Sequence, residues 1–422
     1  MTFIVFLRTN NKFVFAMEYE ECTLQNGIRI VYKKISSNVA YCGYAIDAGT
    51  RDELQKESGM AHFVEHLSFK GTTHRKAWQI LNRMENVGGD LNAFTNKEET
   101  IYCCTMPAEH TSRAVDILTD IVFHSNFPQA EINKEVDVII DEIKSYEDSP
   151  DDLIFDDFEE ILFDGHSLGR NILGKADALQ EYKTEDAMAF TQRYYQPGNS
   201  VFFYMGSFDF KKLVNIVKKA TSDLVQTKQL HYRTAPANYV AKNIVRTKDT
   251  HQAHVIMGSR AYKSLDNRNI ALSLLNNILG GPGMNSRLNV ALREKRGLVY
   301  GVESNLTFYT DAGEFSVYFG TDHTDIHHCI DLTLKELKRL RDVPLTVRQL
   351  QLAKKQIIGQ MIVAEDGFDI NAAEMGKSLL HYNRYDSLEK MTQRINALTP
   401  EDLQTVAKEI FDEDKLSLLI YK

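Results

Sequence analysis

The sequence has few cysteines, and they are spread over the whole chain. The five positions are Cys22, Cys42, Cys103, Cys104 and Cys329. An odd number of scattered cysteines argues against a disulfide framework. The set predicts reduced thiols in a cytoplasmic protein.

The sequence also lacks an excess of basic charge. The 422 residues carry a net charge of −9, with acidic and basic side chains interspersed. No basic stripe could follow a phosphate backbone, so a nucleic-acid partner is not expected. Hydrophobic residues make up 43% of the chain and charged residues 25%, which is typical of a globular protein with a large core.

Long apolar runs are missing as well. The N-terminal run "FIVFL" covers only residues 3–7 and is broken by Arg8, so it is too short for a secretory or membrane segment. We therefore expect no membrane partner. Because the pattern typical of a folded domain starts near Glu18, residues 1–16 are predicted to be a tail, or an upstream extension if translation starts at Met17.

Two regions of the chain show the same order of predicted elements. The first has strands in "GIRIVYKK" and "AYCGYAIDAG", a helix, a hairpin in "DLNAFTNKEETIYCCTMP", further helices and a strand "SVFFYMG". The second repeats this order with "AHVIMGSRAY", helices, "VESNLTFYTDAGEFSVYFGT", helices and "LSLLIYK". The repetition predicts an α+β protein with two homologous domains, residues 17–225 and 239–422, joined by a polar linker over residues 226–238.

The segment "SGMAHFVEHLSFKGT", residues 58–72, separates into two faces when placed on a helix. One face is apolar and consists of Met60, Phe63, Val64 and Leu67. The opposite face carries His62, Glu65 and His66. Two imidazoles at positions i and i+4 can bind one zinc ion, and Glu65 could hold a water molecule beside it. The glutamate precedes the second histidine, as in the inverted zinc-peptidase signature.

A second helix, in "EINKEVDVIIDEIKSYED", places two acids within an apolar stripe. Glu135 and Glu142 fall on the same side as Ile132, Val138 and Ile139. A buried carboxylate needs a charge or a metal as partner, and a catalytic zinc usually takes three protein ligands. Periodicity does not choose between the two acids. It also leaves open a helix that is rotated so that both acids reach solvent.

Another histidine cluster, "HTDIHHC", contains His323, His327, His328 and Cys329. The first two histidines have helical i, i+4 spacing, but the segment opens a helix directly after a strand. Polar, solvated residues are common there. A second metal site in this segment is therefore not expected.

Three segments together resemble the pitrilysin/insulinase family of zinc peptidases. They are "GMAHFVEHLSFKGT", "EVDVIIDEIKSYEDSPDD" and "SRLNVALREKRGLVYGV", and the similarity runs from about Glu18 to Lys422. The chain is most similar to the short members with one half-clam per chain. The resemblance implies two mostly antiparallel sheets packed against helices and a zinc-dependent endopeptidase that hydrolyses extended peptides or unfolded segments.

The resemblance also implies roles for the residues of the first half. His62, His66 and Glu142 would bind one zinc ion per chain. Glu65 would be the general base that activates water. Glu135 would hold the metal-binding side chains in place without binding the ion itself.

Further roles implied by the resemblance concern substrate binding. Asn92, Ala93 and Phe94 would pair with the main chain of the peptide along a strand edge. Arg293 and Tyr300 would reach the substrate backbone and the developing oxyanion from across the cavity. Without the resemblance, Arg293 would be interpreted as a helix C-terminal residue and Tyr300 as a core residue.

Two domains match half of the closed chamber that the family builds from four. The resemblance therefore implies a homodimer, or a heterodimer with a related subunit, in which Arg293 and Tyr300 serve either chain's zinc. Two alternative functions stay open: a presequence-type processing peptidase with a separate partner subunit, and a non-catalytic peptide-binding or scaffold protein. The intact set of His62, Glu65, His66 and Glu142 favours an enzyme.

Overall fold

The computed structural model of the chain describes residues 19–226 and 232–422. The predicted tail, the alternative start at Met17 and residues 227–231 of the predicted linker lie outside these ranges. None of the helices within them is both long enough and apolar enough to cross a membrane.

The first half of the chain forms a sheet of six strands. They are β1 (Tyr19–Thr23), β2 (Arg29–Lys34), β3 (Val39–Ile46), β4 (Asp90–Thr95), β5 (Thr100–Pro107) and β6 (Ser200–Gly206). Their order in the sheet is β1-β2-β6-β3-β5-β4. Only β2 and β6 pair in parallel, and all other neighbours are antiparallel.

Helices cover this sheet and connect its strands. They are α1 (Met60–Leu67), α2 (Ala77–Glu85), α3 (Thr111–Phe123), α4 (Gln129–Glu147), α5 (Pro150–Leu162), α6 (Ala176–Glu181), α7 (Thr184–Tyr194) and α8 (Phe210–Ala220). Side chains alternate between the two faces of a strand, and Ile30 and Tyr32 of β2 point into the main core with Phe63 of α1 and Leu118 of α3.

The second half forms a sheet of five strands with the order β7-β11-β8-β10-β9. The strands are β7 (Asn243–Arg246), β8 (Ala253–Ala261), β9 (Val299–Phe308), β10 (Gly313–Thr321) and β11 (Ser417–Tyr421). The helices are α9 (Asn269–Gly280), α10 (Ile326–Asp342), α11 (Val347–Ala364), α12 (Phe368–Tyr382), α13 (Leu388–Ala397) and α14 (Pro400–Ile410). A π-helical segment, Asn289–Glu294, precedes β9.

The two sheets have the same connectivity. In the first sheet, β2 pairs in parallel with β6, and β3, β5 and the edge strand β4 follow in antiparallel pairing. In the second sheet, β7 pairs in parallel with β11, and β8, β10 and the edge strand β9 follow in antiparallel pairing. The prediction of an α+β fold with two homologous domains is therefore confirmed. Strands β1 and β7 were not predicted, because both are short edge strands with mostly exposed or half-buried residues.

Each half contributes one helix that covers the outer face of the other half's sheet. Helix α12 of the second half packs Met375 and Leu379 against Val31 and Phe203 of the first sheet. Conversely, α5 of the first half packs its apolar residues on the second sheet, where Phe158 joins a cluster with strand residues of β8 and β11. Both sheets are thus covered on both faces. This arrangement is not visible in the sequence, since periodicity predicts a buried stripe but not its partner.

Candidate metal centre

The structure fixes where helix α1 begins. Gly59 precedes it with a φ of +84°, and a Cβ atom at this position would lie 2.6 Å from the carbonyl oxygen of Leu173. Glycine is therefore required by both conformation and space. The Glu53 carboxylate accepts hydrogen bonds from the backbone N–H groups of Gly59 and Ala61, at 3.0 and 2.9 Å. An acceptor at this end satisfies backbone N–H groups that have no partner within the helix.

The two faces of α1 are as predicted. Its apolar residues are completely buried, and they are Met60, Phe63, Val64 and Leu67. His62, Glu65 and His66 lie on the other side, which faces α4 and the edge strand β4. The core therefore locks the helix in the one rotation that directs both imidazoles toward α4.

Glu142 of α4 completes a three-residue group. Its carboxylate oxygens lie 3.9 Å from His62 Nε2 and 3.7 Å from His66 Nε2. The three donor atoms all lie within 4.8 Å of one another. Ligands of a tetrahedral zinc, each about 2.1 Å from the ion, are about 3.4 Å apart, so the group fits zinc after a small contraction.

The predicted apolar stripe of α4 is only partly correct. Glu135 is buried, whereas the side chain of Glu142 is 42% exposed and Val138, expected in the core, is 51% exposed. The helix is turned so that Val136 and Ile139 pack inward. Glu142 consequently stands at the rim of the core, where it can reach both histidines.

Glu135 contacts His66 at the ring nitrogen that faces away from Glu142. Its Oε1 lies 2.9 Å from His66 Nδ1, and its Oε2 accepts a hydrogen bond from Lys70 Nζ at 2.8 Å. Although burial acts in the opposite direction, these two hydrogen bonds lower the pKa of Glu135. An ionised Glu135 keeps the proton of His66 on Nδ1 and leaves Nε2 directed toward Glu142.

The two imidazoles differ in their electrostatics. Burial, together with the neighbouring His66, lowers the pKa of His62 to about 3. Burial also disfavours protonation of His66, but Glu135, Glu65 and Glu142 outweigh it and raise its pKa. His62 is therefore a neutral ring with a free lone pair, which is the form in which histidine binds metals.

The charges around the histidines favour a cation. Glu65, Glu135 and Glu142 surround them, and Lys70 is the one cationic side chain that contacts these acids within residues 19–226 and 232–422. Three carboxylates at a partly buried site are costly without positive charge. A divalent ion would supply it, so the donor set and the charge balance both fit zinc.

Glu65 is held by a residue that the sequence did not single out. Thr95 Oγ1 donates a hydrogen bond to Glu65 Oε2 at 2.6 Å. Burial, mainly, and the nearby Glu142 raise the pKa of Glu65, against the opposing effects of Thr95 and His66. Thr95 and Lys70 were missed because a single threonine or lysine next to a motif carries no signal of its own.

The predicted substrate-binding residues lie on an open sheet edge. Asn92, Ala93 and Phe94 belong to β4, which among the described strands pairs only with β5. The N–H of Ala93 donates to Asn92 Oδ1 at 2.8 Å, and Phe94 is 42% exposed. Because Thr95 of the same strand contacts Glu65, the structure brings this edge next to the candidate centre.

Arg293 and Tyr300 lie in the second half and are not brought to the centre. The guanidinium of Arg293 lies 5.8 Å from the centroid of the Tyr300 ring. Tyr300 is 87% exposed on the edge strand β9, so its interpretation as a core residue is wrong. Among the hydrogen bonds and ion pairs of the described chain, none joins either residue to His62, Glu65, His66 or Glu142.

The other histidine cluster does not assemble. His323, His327 and His328 are exposed, while Cys329 is buried beside Thr321. They form no metal-binding group within the described ranges.

A two-histidine helix, a glutamate from a second helix and an open strand edge define a candidate metallopeptidase centre on a duplicated α+β fold. The family model described as Insulinase (Peptidase family M16) matches residues 29–176. The model described as peptidase M16 inactive domain matches residues 182–357. The chain belongs to this insulinase family.

Relatives support the assignment over nearly the whole chain. A Bacillus subtilis protein named uncharacterized zinc protease YmxG is 32% identical over 400 residues, which cover 94% of this chain and 97% of that protein. A Rickettsia felis protein, also named an uncharacterized zinc protease, is 31% identical over 401 residues, with 94% and 96% coverage.

Solved structures share the fold. A protease from Helicobacter pylori superimposes with a TM-score of 0.86 at 23% identity, covering 96% of this chain and 99% of that one. A Pseudomonas fluorescens structure described as a peptidase M16 inactive domain has a TM-score of 0.88 at 19% identity, with 96% and 98% coverage.

Proposed function

We propose that the protein is a zinc-dependent endopeptidase that hydrolyses extended peptides or unfolded segments. The observation that carries the proposal is the convergence of His62, His66 and Glu142 beside Glu65, next to the open edge of β4. One zinc ion per chain, held by the first three residues, would supply a Lewis acid for the scissile carbonyl and lower the pKa of bound water.

The chain's own residues would move the proton. Glu65 accepts a proton from the attacking water and delivers it to the leaving amine nitrogen. Thr95 occupies one carboxylate oxygen of Glu65 and so leaves the other for this transfer. The raised pKa of Glu65 suits a group that must both take and return a proton.

The edge strand would position the substrate. An extended peptide beside β4 can form main-chain hydrogen bonds along Asn92, Ala93 and Phe94, which gives affinity without strict sequence demand. A folded protein cannot offer an extended segment. This favours flexible peptides as substrates.

Arg293 and Tyr300 of one chain would act on the metal centre of a second chain. They are paired with each other and exposed, which is expected of groups that complete a site only when two surfaces meet. We propose a homodimer in which these residues serve the partner's zinc. A heterodimer with a related subunit, as in a processing peptidase, is the alternative assembly.

The first experiment compares wild type with Glu65→Gln, both purified from metal-free buffer and then loaded with zinc. Zinc content per chain and cleavage of a quenched fluorescent peptide of about twenty residues are measured. Equal zinc in both proteins, with hydrolysis only in the wild type, supports the proposal. Zinc without hydrolysis in either would favour a binding role or a missing partner subunit.

Assembly is tested by mixing two inactive variants, Glu65→Gln and Arg293→Ala. If Arg293 acts on the partner's centre, mixed dimers contain one intact site and activity returns. If it acts within its own chain, the mixture stays inactive. Sedimentation velocity on each sample establishes that dimers were present.

A further inference from the structure

A second group of histidines and aspartates lies outside the candidate centre. It consists of His74 from the loop after α1, Asp120 from the last turn of α3, His124 just after that helix, and Asp223 beyond the end of α8. Potential ligand atoms of the first three residues lie within 4.8 Å of one another. Three separate segments of the first half therefore meet at this point.

His124 presents a free lone pair to this group. Its Nε2 lies 2.9 Å from Asp223 Oδ2, so Nε2 carries the proton donated to that carboxylate. Its Nδ1 is buried and has no hydrogen-bond partner in the described part of the chain, yet it lies 3.7 Å from Asp120 Oδ1. A carboxylate that fixes one ring nitrogen while the other faces acceptors is the arrangement of a metal-ligating histidine.

The same arrangement occurs at the candidate centre. There Glu135 holds His66 Nδ1, and His66 Nε2 faces Glu142. In the second group Asp223 takes the place of Glu135, and Asp120 takes the place of Glu142. Two acceptors that face each other without a hydrogen between them repel unless a cation lies between them.

Asp120 is oriented for such a role. Its Oδ2 accepts hydrogen bonds from Arg75 Nη1 at 2.5 Å and from Thr72 Oγ1 at 2.8 Å. Its Oδ1 is left for the histidines and lies 2.7 Å from His74 Nδ1. The Asp120 side chain is only 3% exposed, so it cannot turn away to solvent. Asp116 forms ion pairs with Arg75 and Arg83 and so holds Arg75 in place beside Asp120.

We propose that His74, Asp120 and His124 form a second site for a divalent transition metal of the zinc class, with Asp223 fixing His124. The side chain of His74 is 58% exposed and gives the ion access from solvent. When the ion binds, the proton of His74 moves through solvent from Nδ1 to Nε2, so the ring stays neutral and Nδ1 is free to bind the ion. Because tetrahedral ligands are about 3.4 Å apart, the exposed side chain of His74 moves outward by roughly 0.7 Å.

The site would connect the loop that follows α1 to the ends of α3 and α8. This loop also contains Lys70, which contacts Glu135. An ion at the second site would therefore stiffen the segment next to the candidate centre. The proposal does not depend on peptidase activity, since the two groups share no ligand.

The test uses full-length protein in which the first centre is removed by His62→Ala and Glu142→Gln. Zinc per chain is measured after equilibrium dialysis against zinc alone, and cobalt binding is followed by visible absorption. About one zinc per chain should remain and should raise Tm. Adding His124→Gln should weaken binding at least tenfold and abolish the Tm increase, and Asp223→Asn should weaken it by about 10-fold to 100-fold.

His110→Gln is the matched control, because His110 lies at the other end of α3, where its imidazole is 3.6 Å from the Glu109 carboxylate. It should leave zinc binding unchanged. If His124→Gln does not fold, judged by circular dichroism, His74→Gln replaces it at an exposed position. Retention of the same zinc affinity in these variants, or absence of zinc in the parent protein, would overturn the proposal and leave a group held by hydrogen bonds alone.

Discussion

The two halves share one topology but carry different chemistry. Helices α1 and α9 occupy equivalent places, each following the central strand β3 or β8 and preceding the edge strand β4 or β9. Helix α1 has His62, Glu65 and His66 on the side that faces α4 and β4. Helix α9, "NIALSLLNNILG", has neither a histidine nor an acid. The same arrangement of strands and helices can thus carry a candidate metal centre in one half and none at the equivalent helix of the other, since the fold does not depend on the site.

The difference between the halves also explains how the protein would use its two edge strands. The edge β4 lies beside Glu65 through Thr95. The edge β9 presents Tyr300 next to Arg293, without metal ligands. One edge would hold substrate at the centre and the other would close over it. Five predictions test the roles of the two halves and the contact between them.

The largest effect is expected for Glu65→Gln in α1. Loss of a general base should lower kcat by about 10²-fold to 10⁴-fold, while zinc binding is retained. Peptide cleavage and zinc content are measured on the same sample. Asn277→Ala in α9 is the matched change in the second half and should leave zinc binding unchanged. A fully active Glu65→Gln protein would show that the base lies elsewhere.

Next in size is the loss of an ionic contact between the halves. Glu99, before β5, is buried and accepts hydrogen bonds from His381 and Lys377 of α12, each at 3.0 Å. Glu99→Gln leaves Lys377 without its buried partner and should lower the free energy of unfolding by about 3 kcal/mol. Urea unfolding measures the change. An equal midpoint in both proteins would mean that Glu99 does not contribute to holding α12.

The same contact predicts a pH dependence. Burial disfavours the Glu99 carboxylate, but His381 and Lys377 outweigh it and lower the pKa from 4.5 to about 2. Because the folded-state pKa is lower, the stabilisation is complete above pH 4.5 and disappears as the pH falls toward 2. The stability difference between wild type and Glu99→Gln should shrink over this window. A constant difference would contradict the assignment.

A smaller effect is expected for Glu135→Gln. It removes the charge that orients His66 and should weaken zinc binding by about 10-fold to 100-fold. Competition with a zinc chelator measures the affinity. Glu131→Gln is the control, since Glu131 lies on the same helix and its ion pair in the described part of the chain is with Lys134. Equal affinities for the two variants would exclude a supporting role for Glu135.

The smallest change is expected for Thr95→Val. It removes the hydrogen bond to Glu65 while keeping the shape of the side chain, and kcat should fall about tenfold with little change in KM. Steady-state kinetics on the fluorescent peptide separates the two constants. A change in KM alone would indicate that Thr95 acts on substrate rather than on Glu65.

Much of the local structure could be predicted from the sequence. Alternating and helical patterns located the central strands, α1 and the duplicated order of elements. Helical spacing also placed His62 and His66 together on one face. These features depend on residues near each other in the chain, whose geometry is set by backbone periodicity.

The choice between Glu135 and Glu142 could not be made from periodicity. Both acids fall on one side of α4, and their roles follow from a small rotation that exposes Val138 and buries Val136. That rotation is set by the packing of α4 against α1. Only the resemblance to a known family separated the two acids at the level of sequence.

The sequence by itself determined the central strands, the main helical stretches and the composition of the α1 faces, because these follow from local periodicity and turn chemistry. The tertiary structure decided which atoms meet: Glu142 with both histidines, Thr95 with Glu65, and His124 with Asp120 and Asp223. It also decided that α5 of the first half covers the second sheet and that α12 of the second half covers the first sheet. The physical reason is that contacts between residues distant in the chain depend on packing, and packing is a property of the assembled core.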